Sequence, residues 1–443
     1  MKWIISLVLI IFLVTVPVGT VSPEGTDTRL TNRVTVEDLV AYAYQNNPRI
    51  RQMREAWRET IEQYRISTGY PDPEMRFTYY PEPIETRLGP QDWMASLNQR
   101  IPFPGKLSQA GKVVEADARV AHIKLDRTVK DVMASVRRSF YELLYIRTAR
   151  RVVAENRRLL EHLRKVGETA YAKDRASLMD MVKAQSQLGQ IRYDEILLSE
   201  LEQTEKTRLN GILNRAPDAK IGKLVEAQFQ PVAFDLKGLY ALAEANQEDL
   251  RIAHALVDRA DARAELARFE NLPDFNVGVS YSNIGQPDVP MPPEDSGRDA
   301  FGFQVGVTIP LWFDKNRGRV ARAEAGIRKA KAAEEAVVTD IRTRVHELFF
   351  RLNNARRLVT LYRDDLLPQA MNAMEIAETW YREGQASFSD FVETQAVYYN
   401  FQLALARAGA DYGKVLASLE QLVGQTVTRR SAGNKERVQE EMK

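Results

Sequence analysis

The sequence predicts a mainly α-helical, elongated chain that also carries four β-strands in two hairpins. Three observations predict this fold class. The second half of the chain repeats the first, shifted by roughly 200 residues. Each half contains two short segments in which apolar and polar residues alternate. Long stretches without proline follow these segments, such as the one between Pro104 and Pro217.

The repeat is visible in matches that keep their order along the chain and include turn residues. They pair Leu39 with Leu239, Asn46 with Asn246, Pro73 with Pro273, Ile101 with Ile309, Phe140 with Phe349, Tyr171 with Tyr381 and Gln185 with Gln395. The repeat predicts a first half at 34–215, a connector at 216–233 and a second half at 234–425. The polar tail at 426–443 is predicted to be disordered, because it has too little apolar surface to bury.

The chain begins with a segment typical of a secretory signal peptide, predicted at 1–20. Lys2 precedes an apolar run of about fifteen residues, and small residues follow from Gly19 to Ser22. The alternative is a transmembrane anchor, but the run is shorter than the about twenty residues that a spanning helix needs. No later stretch resembles a transmembrane helix. A membrane crossing by the rest of the chain would therefore use strands.

The predicted hairpins lie at 75–103 and 275–311. In the second, Phe301, Phe303 and Val305 alternate with small or polar residues such as Gly302 and Gln304. One apolar face is typical of a membrane-barrel strand and equally of a half-buried hairpin in a soluble protein. Four strands cannot close a barrel, since small barrels need about eight, and open strand edges in lipid are costly. Either the hairpins are soluble or several chains pool their strands.

Helices are predicted for the remainder of each half. A helix at 36–67 opens the first half, and long helical hairpins follow each pair of strands, at 107–213 and 319–423. Pro368 lies inside the second of these and is expected to kink or break a helix. Val136, Phe140 and Leu143 form a narrow apolar stripe, which favours coiled-coil packing over a compact core.

The composition excludes several classes of function. Lys and Arg total 62 and Asp and Glu total 60, so the chain lacks the basic footprint of a nucleic-acid-binding protein. The chain has no cysteine, which excludes disulfides, thiolate metal sites and cysteine catalysis. Its four histidines form no ligand pair at helical spacing, and no phosphate loop or nucleophile motif is present. We therefore expect no enzyme activity, metal or cofactor.

Taken together, these features resemble the TolC-like outer-membrane efflux proteins, the outer-membrane factors of tripartite efflux systems. The strongest local match is segment 367–370 (LPQA) followed by segment 381–395 (YREGQASFSDFVETQ). The resemblance implies a homotrimer in which four strands per chain close a twelve-stranded barrel in outer-membrane lipid. It also implies a long α-helical barrel in the periplasm that meets a periplasmic adaptor (membrane fusion) protein and an inner-membrane pump. The alternative is a periplasmic coiled-coil scaffold or adaptor, whose strands would bury their apolar faces in a core.

The resemblance also implies where the channel narrows. Asp390 and Glu393 lie three residues apart, on one helix face, at positions where this family places acidic constriction rings. Asp180 and Lys183 are the matching residues of the first half. The alternative is that these carboxylates are solvated helix surface, or offset the positive end of the helix dipole.

The turns that precede these residues are the predicted adaptor contacts. They comprise Asp174, Arg175 and Ser177 in the first half and Gly384, Gln385 and Ser387 in the second. Asp174 stands where the second half has Gly384, so the two tips are expected to differ in rigidity or in partner contact. The same residues could be ordinary turn and N-cap residues.

Overall fold

The computed structural model describes residues 30–172, 178–225, 231–383 and 385–428. The predicted signal peptide and most of the predicted tail lie outside these ranges. The first half consists of β1 (Arg33–Val34), α1 (Val36–Asn46), α2 (Pro48–Thr68), β2 (Glu74–Thr86), β3 (Gly89–Ile101), α3 (Lys106–Tyr171), α4 (Leu178–Leu213) and β4 (Lys223–Leu224). Strands β1 and β4 pair in parallel.

The second half follows the same order of elements. It consists of α5 (Leu236–Asn246), α6 (Glu248–Phe269), β5 (Asp274–Ile284), β6 (Ala300–Thr308), α7 (Phe313–Thr360), a π-helix (Leu361–Leu366), α8 (Leu367–Arg382) and α9 (Phe388–Val423). The one long helix that is divided has an undivided counterpart, α3, in the first half.

The single helix predicted at 36–67 is wrong, because the chain forms two helices that meet at Asn47. Pro48 lacks a backbone N–H and disfavours helical geometry in the residue before it. The Asn47 side chain instead caps α2, accepting hydrogen bonds from the N–H groups of Arg49 (2.9 Å) and Ile50 (3.4 Å). Gln247 caps α6 in the same way. The break therefore recurs in both halves, although only the first has a proline there.

The four long strands form one antiparallel sheet in the order β2, β3, β5, β6. Within the first hairpin, β2 continues to Thr86 and a tight turn leads to Gly89, whose φ is 132°. Pro81 is tolerated inside β2 because the ladder with β3 is interrupted there, between Tyr79 and Ile84. The register shift after Tyr79 lies beside this proline.

The apolar side chains of the sheet are exposed rather than buried in a core. Phe303 and Val305 on β6 and Phe77 on β2 are among the most exposed large apolar residues of the described chain. The alternative of a periplasmic scaffold predicts that the strands bury their apolar faces in a core. That prediction is wrong for this sheet. Among the described residues, no helix is both long enough and apolar enough to cross a membrane.

The helices of each half pack around equivalent clusters of buried residues. In the first half, Val136, Phe140 and Leu143 of α3 are fully buried against α1 and α4, as the apolar stripe predicts. In the second half, Val345 and Leu352 of α7 are buried against α5 and α9. Helix α3 has 66 residues without interruption, which corresponds to about 100 Å at 1.5 Å per residue. The helices therefore pack along narrow apolar stripes and not around one wide core.

The predicted disturbance at Pro368 is confirmed. The helix passes into π-helical geometry at Leu361–Leu366, and Pro368 lies in the first turn of α8. The N–H of Leu367 bonds to the carbonyl of Tyr362, so the helix is continuous here, and Pro368 has no N–H to donate to the preceding turn.

Candidate functional site

The second helical hairpin turns between α8 and α9, and its backbone is held by local hydrogen bonds. The N–H groups of Gln385 and Ala386 both donate to the carbonyl of Trp380, at 2.8 and 3.2 Å. Ser387 then caps α9. The predicted tip residues Gln385 and Ser387 therefore lie in a defined turn rather than in the helices.

Asp390 closes this turn through a capping box with Ser387. The N–H of Ser387 donates to the Asp390 carboxylate (3.1 Å), and the N–H of Asp390 donates to the Ser387 hydroxyl oxygen (3.1 Å). Hydrogen bonds from the side chain and then the backbone of Ser387, with the nearby Lys183 ammonium, lower the pKa of Asp390. Asp390 is exposed and is therefore a negative charge at neutral pH.

Glu393 and Lys183 belong to different hairpins, and a serine joins them. Lys183 on α4 donates to the Ser389 hydroxyl, which in turn donates to the Glu393 carboxylate at 3.4 Å. The sequence predicts both end members of this chain but not Ser389. Its role depends on the packing of α4 beside α9, which no local pattern indicates.

Apolar residues beneath these charges hold the two hairpins together. Phe388 and Phe391 of α9 are buried in one cluster with Ala184 and Leu188 of α4. The Tyr381 ring packs on both phenylalanines, with centroids 5.5 Å and 6.3 Å away. The charged residues at the tip are thus fixed to a packed base.

The remaining predicted site residues lie outside the part of the chain that the structure describes. These are Asp174, Arg175, Ser177 and Gly384, together with the side chain of Asp180. Within the described residues, no group of histidine and acidic side chains is arranged to hold a metal ion.

Comparisons with known proteins agree with this architecture. Residues 239–425 match the sequence model of the outer membrane efflux protein family. No curated protein sequence matches the chain.

The chain has the same fold as several solved bacterial membrane proteins. A membrane protein from Pseudomonas aeruginosa shares 16% identity at a TM-score of 0.76, covering 92% of this chain and 94% of that one. The outer membrane protein VceC from Vibrio cholerae shares 16% identity at a TM-score of 0.72, and the match covers 88% of this chain and 96% of that one. The open state of the MtrE outer membrane channel from Neisseria gonorrhoeae shares 14% identity at a TM-score of 0.71, and the match covers 89% of this chain and 90% of that one. The resemblance to TolC-like proteins and the predicted fold class are confirmed.

Proposed function

We propose that this chain is the passive exit duct of a tripartite efflux system. Its residues 239–425 match the sequence model of the outer membrane efflux protein family, and most of its length has the fold of solved outer-membrane proteins. It is not an enzyme. Substrate arrives from an inner-membrane pump through a periplasmic adaptor, and the energy comes from the pump.

The observation that carries the proposal is the four-stranded sheet, with its exposed apolar face and two edges. An apolar face of this kind is stable in lipid. Open strand edges are not, because burying each unpaired backbone N–H or C=O group in lipid costs several kcal/mol. Three copies that contribute four strands each close a twelve-stranded barrel and remove the edges. The barrel lies in the outer membrane, and the helices extend into the periplasm.

The helical tips form the gate in this proposal. Asp390 and Glu393 appear three times around the trimer axis, as rings of carboxylates that attract cations. Hydrogen bonds from Ser387 lower the pKa of Asp390 within one chain and so favour its charged form. Asp180 and Lys183 complete the constriction. Asp174, Arg175, Ser177, Gly384, Gln385 and Ser387 are the adaptor contacts.

Conductance of the purified protein in planar bilayers tests both parts of the proposal. The informative variant replaces Asp390→Asn and Glu393→Gln together. Asparagine retains an oxygen that accepts the hydrogen bond from Ser387, so the capping box survives while both charges are lost. We expect a trimer that conducts, with a cation preference that falls in the variant. The control replaces Glu59→Gln and Glu62→Gln, which are exposed, three residues apart and on α2, and it should leave the preference unchanged.

The other outcomes separate the channel from its gate. A conducting trimer whose selectivity is the same in the tip variant would contradict the constriction but leave the channel intact. A soluble protein that does not conduct would contradict the channel itself and favour the periplasmic scaffold.

A further inference from the structure

The two halves of the chain meet at an internal joint where β3 leads into α3 beside the start of β5. Ile101 pairs with Phe275 in the ladder. The Asp274 carboxylate accepts hydrogen bonds from Lys106 (2.6 Å), from Arg100 (2.6 Å) and from the Phe103 N–H (3.1 Å). The Asp274 side chain is only 5% exposed and that of Lys106 only 16%. This joint is a nearly buried ion pair that fixes a strand-to-helix corner against the neighbouring strand.

The internal repeat contains a second set of the same residues, divided between the two ends of the sheet. Residues 309–311 (IPL) at the end of β6 match 101–103 (IPF), and Lys315 matches Lys106 after one inserted residue. At the start of β2, Glu74 matches Asp274 and Met75 matches Phe275. The parts of a second joint are therefore present, but one chain holds them at opposite edges.

These matching residues are exposed where their counterparts are covered. Met75 is 76% exposed and Leu311 is 63% exposed. The Glu74 side chain pairs with Arg76 on the same strand (2.7 Å) yet is 64% exposed, and Lys315 is exposed as well. Large apolar side chains next to opposite charges, all exposed in a single chain, indicate a surface that another molecule covers.

The direction of the strands identifies that molecule as a second copy. Strand β3 ends beside the start of β5, and β6 runs in the same direction as β3 because the sheet alternates. When β6 of one copy pairs with β2 of the next, the end of β6 comes to lie beside the start of β2. The arrangement then repeats the internal joint, with Lys315 facing Glu74 as Lys106 faces Asp274.

The packing of bulky residues is complementary at this corner. In the internal joint the Phe269 ring lies so close to Gly105 that a Cβ there would meet it at 2.7 Å. At the matching positions the large and small residues change sides, since Gly69 replaces Phe269 and exposed Trp312 and Phe313 lie opposite. The glycine of one copy therefore leaves room for the rings of the other.

We propose that residues 309–315 of one copy and residues 69–75 of the next form an intermolecular joint, in which Lys315 binds Glu74 and Leu311 packs on Met75. The proposal rests on the trimer of the proposed function and specifies the contact that holds neighbouring copies in register. Neither Lys315 nor Glu74 is part of the proposed gate.

Cysteine cross-linking tests the register directly, because the chain contains no cysteine of its own. Two differently tagged full-length chains are expressed together, one with Ile309→Cys and the other with Met75→Cys. By analogy with the pair Ile101 and Phe275, these positions face each other across the ladder, at about 4.5–5.5 Å between Cα atoms, which a disulfide can bridge. We expect a cross-linked product that carries both tags. The control, Ile309→Cys with Phe77→Cys, lies two residues further along the same strand face and should not cross-link.

Charge exchange tests the ion pair. Lys315→Glu or Glu74→Lys alone should reduce the heat resistance of the trimer, and the two together should restore it. A protein that is trimeric by mass, yet neither cross-links at 309 and 75 nor shows rescue, would overturn the joint while leaving the proposed function intact. Quenching of Trp312 fluorescence by lipid-soluble quenchers would assign this surface to lipid and likewise overturn it. A monomer would overturn the trimer and the joint together.

Discussion

Helix α3 and its counterpart in the second half occupy equivalent positions but are built differently. Helix α3 is continuous over 66 residues, whereas the counterpart is divided into α7, a six-residue π-helix and α8. Both are anchored near the middle by matching residues, Leu143 in one and Leu352 in the other. The difference therefore lies between this anchor and the tip, where a gate would move.

The two hairpins also differ in how their helices are joined. In the first half, Glu202 of α4 is buried and binds Arg147 and Arg150 of α3, and Ser139 donates to buried Glu205. The matching positions of the second half hold Tyr412 for Glu202, Val415 for Glu205 and Leu348 for Ser139. Hydrogen bonds between charged groups are directional and hold two helices in one relative position, and the second half does not have these carboxylates at the matching positions. We therefore expect the first hairpin to be the more rigid of the two and the second to be the more adjustable.

The largest expected change in stability comes from truncating two matching aromatic residues, one in each half. Phe140 is fully buried, whereas Phe349 is only partly buried. We expect Phe140→Ala to destabilise the protein by about 3–5 kcal/mol, from lost burial and the cavity left behind. Phe349→Ala should cost clearly less, because less apolar area leaves contact. Thermal unfolding followed by circular dichroism measures both. Equal losses would show that the two cores are packed alike and contradict the comparison.

The second test is the pH dependence that Glu202 gives to the first hairpin. Burial raises the pKa of Glu202, but hydrogen bonds from Lys206, Arg150 and Arg147 outweigh it and lower the pKa to about 2. A lowered pKa in the folded state stabilises the protein above the ordinary glutamate pKa, and this contribution is lost as pH falls towards about 2. We expect Glu202→Gln to lower the unfolding midpoint at neutral pH, by an amount that shrinks as pH falls from about 4.5 to about 2.

The matched control for Glu202 is Asp411→Asn on α9. Asp411 pairs with Arg407 and Lys414 but is much more exposed, so solvent screens its interactions. Its loss should change the unfolding midpoint little at any pH. A pH-independent deficit in Glu202→Gln would mean that packing, and not the carboxylate charge, explains the loss.

Much of this architecture could be predicted from the sequence, because it depends on local periodicity. The stripe of Val136, Phe140 and Leu143 predicts the burial that the structure has. Pro368 predicts the place of the disturbance in the helix, although not its cause. The continuation of β2 through Pro81 could not be predicted, since a proline fits inside a strand only where its missing N–H faces no ladder partner, and tertiary pairing decides where that is. At the tip, the spacing of Ser387 and Asp390 is that of a capping box, but the link through Ser389 requires the other hairpin to be in place.

The smallest expected effect concerns the cause of the π-helix. Leu143 and Tyr171 are 28 positions apart, whereas their matches Leu352 and Tyr381 are 29 apart. A π-helix bonds each residue to the fifth along rather than the fourth, so one π turn absorbs one extra residue and leaves the flanking stripes in register. The inserted residue, rather than Pro368, then accounts for the π-helix at Leu361–Leu366.

Deleting exposed Asp365 should therefore convert the π-helix to α-helix, and Pro368→Ala should not. Hydrogen exchange of the amides at 361–366 measures the change. We expect slower exchange in the deletion and unchanged exchange in Pro368→Ala, with global stability altered by no more than about 1 kcal/mol, because no residue of the π-helix is buried. If Pro368→Ala alone slows the exchange, the proline causes the break. If the deletion also lowers channel conductance while the closed trimer persists, the extra residue is what allows the second hairpin to move when the first does not.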